Sequence, residues 1–236
     1  ITGMGWDEAA QRWIVTTDRG DTLRARYVTT QSGIFNRPQL PGIPGLETFA
    51  GCVFHSARWN YGYTGGGPDA PMDRLGDKRV GVIGTGTTAI QVVPQLAAAA
   101  GSLTVFQRTP SAIGVRDNAP TDMAWFTGQG PGWQKAREEA FNRLASGEFV
   151  DCTIDDGWAR FFRRMIAAAD LVPAGARTPE AVAAAQELAD FAHNEEVRAR
   201  VDHYVRDPRT AGLLKAYYRT LCKRPGFSDD YLPVFN

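Results

Sequence analysis

The sequence predicts an α/β protein: a βαβ unit, interrupted by a run of helices and preceded by a β-hairpin. Three observations carry that reading. Lys78–Pro110, KRVGVIGTGTTAIQVVPQLAAAAGSLTVFQRTP, runs as strand, glycine turn, helix and second strand. From Trp133 to about Asp207 the pattern is helical, with GWQKAREEAFNRLAS, GWARFFRRMIAAAD and TPEAVAAAQELADFAHNEEVRARV in succession. Near the start, RWIVTTD (Arg12–Asp18) and TLRARYVTT (Thr22–Thr30) are β-branched runs on either side of Arg19-Gly20-Asp21, a glycine-containing turn.

Each element follows in chain order. Two strands do not make a stable sheet alone, so the hairpin is expected to belong to a larger one. Asn36–Leu46 (NRPQLPGIPGL) carries three prolines and two glycines and reads as an extended linker. Gly62–Asp77 (GYTGGGPDAPMDRLGD) reads as a second loose stretch. Within the βαβ unit, Pro94 is expected to kink or interrupt the helix, because proline lacks the N–H and crowds the preceding turn. Thr178-Pro179 supplies an N-cap followed by proline at the first helical position. The helices read as an insertion over 131–205 inside an α/β domain formed by 77–130 and 206–236, with 1–36 and 37–76 as hairpin and linker.

Bulk properties narrow the function classes. The chain has 236 residues, 43% hydrophobic and 22% charged, which suits one large globular domain or two small ones. Lys plus Arg equals Asp plus Glu at 26 each, arguing against a nucleic-acid surface or a basic membrane face. No apolar run approaches the roughly 18 residues of a membrane span, and no signal-peptide pattern opens the chain. Cys52, Cys152 and Cys222 are odd in number and far apart, which fits reduced thiols and a cytoplasmic location better than disulfides or zinc. Because the sequence starts on Ile and stops at VFN, it is expected to be a piece of a longer protein.

The strongest chemical motif is Gly84-Thr85-Gly86-Thr87-Thr88-Ala89, a GxGxxA between a strand and a helix. Its first Gly makes the tight turn, its second lets backbone approach a pyrophosphate, and Ala allows close helix–strand packing. The helix N-terminus adds free N–H groups and a positive dipole end. A plain βα turn is the competing reading, disfavoured by the strand–turn–helix context. A site for NADH calls for an acid about 20 residues on. Arg108-Thr109 ends the second strand instead, and a permanently charged guanidinium suits a 2′-phosphate, so NADPH is favoured over NADH. Arg108 as a solvated strand-end charge stays open. Lys223-Arg224 is a second basic pair, before a Pro-Gly turn; read alone it is more often surface than site.

FAGCVFHSARWN (Phe49–Asn60) contains a lone His55. No His or Cys stands at metal-ligand spacing from it and no Ser–His–acid set accompanies it, so no metal site is expected and a hydrogen-bonded structural histidine is the better reading. His193 and His203 lie in helical sequence and are expected on the surface.

At this point the residues become recognisable. Phe49-x-Gly51-x-x-x-His55-x-x-x-Trp59 resembles the fingerprint of the type I Baeyer–Villiger monooxygenases, class B flavoproteins. RPQLPGIPGLETFAG, GVIGTGTTAIQ, VFQRTPSAIGVRDN and CKRPGFSDDYLPVFN resemble further segments of that family in the same order. The resemblance implies a Rossmann-like NADPH-binding domain with a helical insertion, plus a β-hairpin remnant of an FAD-binding domain. It implies that NADPH reduces FAD, that O₂ then gives a C4a-peroxyflavin, and that a ketone is converted to an ester or lactone. By motif match, Gly84 to Thr88 with Gln91 would hold the pyrophosphate; Arg108, Thr109 and Lys223 the 2′-phosphate; and Arg224 would be the catalytic arginine. Phe49, Gly51, His55 and Trp59 would couple the domains, making His55 a hinge-organising residue rather than a base.

Three departures stand beside the resemblance. Asn60 replaces the usual Pro or Asp, and Gln31-Ser32-Gly33 replaces Ala-Thr-Gly in the hinge segment. No FAD-binding glycine motif precedes residue 84, so most of the FAD site is expected outside this sequence, in the remainder of the FAD domain, and the chain alone is not expected to turn over. An N- or S-oxidising flavin monooxygenase and a non-catalytic NADPH-binding module remain the rival readings. Which ketone is oxidised is not legible.

Overall fold

A computed structural model of the chain describes residues 1–31, 33, 37–151 and 154–236. Ser32 of the hinge-like segment, Asn36 at the head of the linker and Cys152 lie outside the described residues. The chain divides into two compact units, Ile1–Asn60 and Tyr61–Asn236.

In the first unit, β1 (Gly3–Asp7), β2 (Arg12–Thr16) and β3 (Thr22–Ala25) form an antiparallel meander in that order. The expected hairpin is β2–β3, with Gly20 at φ 82° in its turn. β1 was not legible: GMGWD carries two glycines and no alternation. It pairs because Trp6 stands opposite Trp13, the two rings meeting edge to face at 5.6 Å. Residues 37–45 contain no helix or strand, as a proline-rich linker should.

The second unit begins with a short helix, α1 (Tyr61–Thr64), inside the stretch expected to be loose. That stretch is anchored instead. Thr64 and Leu75 are almost fully buried, and the Leu75 carbonyl accepts from Lys78 N and Gly101 N. Next come β4 (Arg79–Ile83), α2 (Thr87–Ala99) and β5 (Ser102–Phe106), with β4 and β5 parallel and Ile83 opposite Phe106. This is the expected βαβ unit. Both strands alternate in burial, one face packed and the other leaving Ile83 and Phe106 exposed.

Pro94 does not interrupt α2. Ile90, Val93 and Leu96 on one face of that helix are buried in the core. Fully burying each such side chain contributes roughly 1.5–3 kcal/mol, enough together to exceed the ~3 kcal/mol a mid-helix proline costs.

After β6 (Ile113–Gly114) come α3 (Met123–Thr127), α4 (Trp133–Ala145), α5 (Gly157–Asp170), α6 (Pro179–Tyr204) and α7 (Pro208–Leu214). Asp122, Asp156, Thr178 and Asp207 cap α3, α5, α6 and α7 with side-chain oxygens on free amides. The last strand, β7 (Gly226–Phe227), pairs in parallel with β6. Leu144, Ile154, Ala159 and Ile166 make a core within the helical segment. α6 also enters the main core, where Val201 and Val205 join Ile90, Val93, Ile113, Leu214, Tyr231 and Leu232. His193 is half-buried, its ring 5.9 Å from that of Phe161, contrary to the surface position expected; His203 is exposed. Burial, with the Arg164 charge adding to it, holds His193 below the ordinary histidine range.

Two predictions follow from this core. Gly226 lies against α2, where an added Cβ would stand 2.2 Å from Ile90 Cδ1. Gly226→Ala should therefore cost about 1–3 kcal/mol in a denaturant melt, as overpacking does; an unchanged midpoint would show the contact is loose. Tyr231 is buried with its hydroxyl lacking a hydrogen-bond partner among the described residues, and burial pushes its pKa from 10.0 up to about 12. A raised folded-state pKa means stability is intact below pH 10 and lost as the pH rises through 12. Tyr231→Phe should remove that alkaline loss and leave the melting temperature at neutral pH unchanged or higher.

Candidate functional site

The site grows out of the turn between β4 and α2. Gly84 adopts φ 105°, a conformation L side chains rarely take, and its N–H bonds the Phe106 carbonyl at 2.8 Å. Gly86 caps α2 without a side-chain partner, and nothing lies within 4 Å of where its Cβ would be. Exposed Thr87 and Thr88 follow. The result is an open shelf with the first amides of a 13-residue helix facing out.

Thr85 points the other way. It is buried, and its hydroxyl donates to the Thr109 carbonyl at 3.0 Å. Ser111 Oγ closes onto the Thr85 carbonyl. Lys223 Nζ donates to the Thr109 carbonyl at 2.8 Å and to Thr85 Oγ1 at 3.2 Å. The structure thus brings Thr85, Thr109 and Lys223 together from three places in the chain, the glycine turn, the end of β5 and the segment before β7. Two of the three lysine donors are used, and the third is available to a ligand.

Electrostatics mark the same spot. Partial burial, and then the charge of Arg108, hold Lys223 below the ordinary lysine range. Arg108 is exposed and makes no hydrogen bond or ion pair among the described residues. Among the described residues neither cation pairs with a carboxylate, so two positive charges stand together at the end of β5. That arrangement suits a phosphate.

Arg224 is exposed, with its guanidinium carbon 6.0 Å from the ring centre of Trp158, at the start of α5. Trp158 is fixed by stacking on Phe162 and by an edge contact with Phe227. Gln91 is spent within α2, its Nε2 donating to the Thr87 carbonyl at 3.2 Å.

The fingerprint residues lie in the first unit. Phe49, itself exposed, folds its ring over Gly51, where a Cβ would stand 2.4 Å from Phe49 Cε1. His55 Nδ1 accepts from Ala57 N at 3.0 Å and caps the 3-10 turn Ser56–Arg58. Trp59 meets Phe54 edge to face at 5.3 Å. Among the described residues no group of three His, Cys, Asp or Glu side chains could hold a metal, and no helix is long and apolar enough to cross a membrane.

Two contributors escaped the sequence reading. One is Ser111, three residues beyond Arg108. The other is Tyr218, whose hydroxyl donates to the Pro110 carbonyl at 2.9 Å and accepts from Ala112 N at 3.0 Å. Their only sequence signal is proximity to the Arg108 and Lys223 segments. A cavity of about 650 Å³ is lined by residues of α4, α5 and α6 and by Arg219–Cys222 and does not include the glycine turn.

Over its whole length the chain is 51% identical to pentalenolactone D synthase of Streptomyces exfoliatus, matching 41% of that protein. A Baeyer–Villiger monooxygenase of Stachybotrys chlorohalonatus is 50% identical over 98% of the chain and 37% of its own length. Among solved structures, the polycyclic ketone monooxygenase of Thermothelomyces thermophila aligns with a TM-score of 0.78 and 43% identity, over 99% of this chain and 40% of that one. The closed form of cyclohexanone monooxygenase aligns at 0.61 and 28%, over 99% of this chain and 43% of its own. No protein-family model matches. The chain spans about two fifths of the length of the curated relatives it matches. Half of its residues are shared with them from end to end, and the chain belongs to the Baeyer–Villiger monooxygenases.

Proposed function

We propose that this chain is the NADPH-handling part of a flavin-dependent Baeyer–Villiger monooxygenase. The overall reaction converts a ketone, O₂, NADPH and a proton to an ester or lactone, water and NADP⁺. The observation that carries the reading is the pair of cations, Lys223 and Arg108, converging beside an open glycine turn with no carboxylate paired to either among the described residues. Relatives crystallised with NADP support it: steroid monooxygenase, 27% identical at a TM-score of 0.56, is one.

The residues present fit the nucleotide. The amides at the head of α2, exposed by Gly84 and Gly86, hold the pyrophosphate, with Thr87 and Thr88 beside them. Arg108 and Lys223 bind the 2′-phosphate, and Thr109 fixes the lysine through its carbonyl. Thr85 serves as the anchor of the turn through its buried hydroxyl rather than as a ligand. When bound, NADPH supplies the hydride and FAD the activation of O₂. Arg224, held over Trp158, orients the nicotinamide and stabilises negative charge developing near it. Phe49, Gly51, His55 and Trp59 shape the join to the FAD domain, His55 as a cap and not as a base.

Within this proposal residues 1–36 are the end of an FAD-domain segment, 37–76 the linker, 77–130 with 206–236 the NADPH domain, and 131–205 its helical insertion. The partners are a ketone, O₂ and the remainder of the FAD domain, and the location is the cytoplasm, where exposed Cys52 and Cys222 stay reduced.

Calorimetric titration should show NADP⁺ binding at least about tenfold tighter than NAD⁺, roughly 1.4 kcal/mol. Arg108→Ala should weaken NADP⁺ about tenfold and NAD⁺ hardly at all; equal losses for both would remove Arg108 from the 2′-phosphate. Since Lys223 titrates below the ordinary lysine value of 10.5, the preference for NADP⁺ should decay as the pH is raised towards that value. Lys223→Arg, charged throughout, should not show the decay; identical pH profiles would speak against Lys223.

A further inference from the structure

Asp190, Asn194 and Arg198 are spaced four apart on α6 and so share one face of it. All three reach the segment Ala216–Thr220, which leads from α7 into Lys223-Arg224. The Asp190 carboxylate accepts from Thr220 N at 3.3 Å and from Thr220 Oγ1. Asn194 Nδ2 donates to Thr220 Oγ1 at 3.2 Å and to the Asp190 carbonyl at 2.9 Å. Arg198 Nη1 donates to the Ala216 carbonyl at 2.9 Å. Asp190, Asn194 and Thr220 are 5%, 4% and 2% exposed.

The segment bends at Tyr218 and is held on either side of that bend, by Arg198 at Ala216 and by Asp190 and Asn194 at Thr220. Between those ends Tyr218 turns its hydroxyl onto Pro110 and Ala112, just beyond Arg108-Thr109. From Thr220 a single 3-10 turn, Thr220–Cys222, ends on Lys223. A buried carboxylate is costly unless its hydrogen bonds are made, and those of Asp190 are made to Thr220.

We infer that Asp190 is a positioning residue: through Thr220 it sets where Lys223 and Arg224 stand, so that preference for a 2′-phosphorylated nucleotide depends on a helix outside the nucleotide site. The inference rests on the reading of Lys223 as a 2′-phosphate ligand. A side chain that merely stabilised the fold would affect both nucleotides alike. One that places Lys223 affects the nucleotide bearing the 2′-phosphate.

The test titrates the 236-residue chain with NADP⁺ and with NAD⁺. Thr220→Val removes the hydroxyl at nearly constant volume. It should weaken NADP⁺ about fivefold or more, leave NAD⁺ within about twofold, and be restored by Thr220→Ser. Equal losses for the two nucleotides, no loss for either, or Thr220→Ser behaving like Thr220→Val would overturn the inference. Lys223→Ala separates it from the reading beneath it. If Lys223→Ala abolishes the NADP⁺ preference and Thr220→Val keeps it, positioning alone fails; if Lys223→Ala keeps the preference, both fail. Should Thr220→Val lose its thermal transition, Asn194→Ala is judged by the same selective loss, since it removes one bond to the same hydroxyl and strands no carboxylate.

Discussion

The arrangement around the glycine turn depends on one ammonium group. Lys223 Nζ holds the Thr109 carbonyl and the Thr85 hydroxyl at once, tying the end of β5, the glycine turn and the C-terminal segment to a single point. Each partner is constrained in turn: Thr85 by its own bond to Thr109 and by Ser111, the post-β5 segment by Tyr218. A positive charge is the natural choice for such a junction, because it can bond several oxygens and still attract an anion from outside. The cost is its own partial desolvation beside Arg108, which lowers its hold on the proton.

α6 makes that junction possible. Its last turns bury Val201 and Val205 against α2 and the C-terminal segment, while Asp190 and Asn194 face the polar end of 216–220. Between those two sets, Glu196 pairs with Arg164 of α5 at 2.8 Å through both terminal guanidinium nitrogens, and nearer the start of the helix Gln186 bonds the Met165 carbonyl. The helical segment is therefore continuous with the core around α2 through one 26-residue helix.

The βαβ unit, the helices from Trp133 onward and the hairpin were all legible, because each has its own period or turn chemistry in the sequence. The glycine turn and Arg108 were legible for the same local reason. Legibility failed where the decisive contact is distant. Pro94 stays helical because of tertiary burial of Ile90 and Val93; β1 exists because of a tryptophan across the sheet; Thr64 and Leu75 are buried by a glycine-rich stretch that looks like loop. The polar face of α6 is the plainest case: nothing in the sequence sets Asp190, Asn194 and Arg198 apart, and only their partners 18 to 30 residues away show where they face. Ser111 and Tyr218 carry no signature at all, since a hydroxyl bonded to backbone is invisible until the backbone has been placed.

The four-residue spacing of Asp190, Asn194 and Arg198 also limits how the chain can change length. One residue inserted between Asp190 and Arg198 turns everything beyond it by about 100°, so Asp190 and Arg198 no longer face Thr220 and Ala216 together. The helical segment is free to grow or shrink only where nothing is in register, as in the turn at Leu171–Thr178 between α5 and α6. Insertions and deletions among functional sequences of this kind should collect there and avoid 190–198.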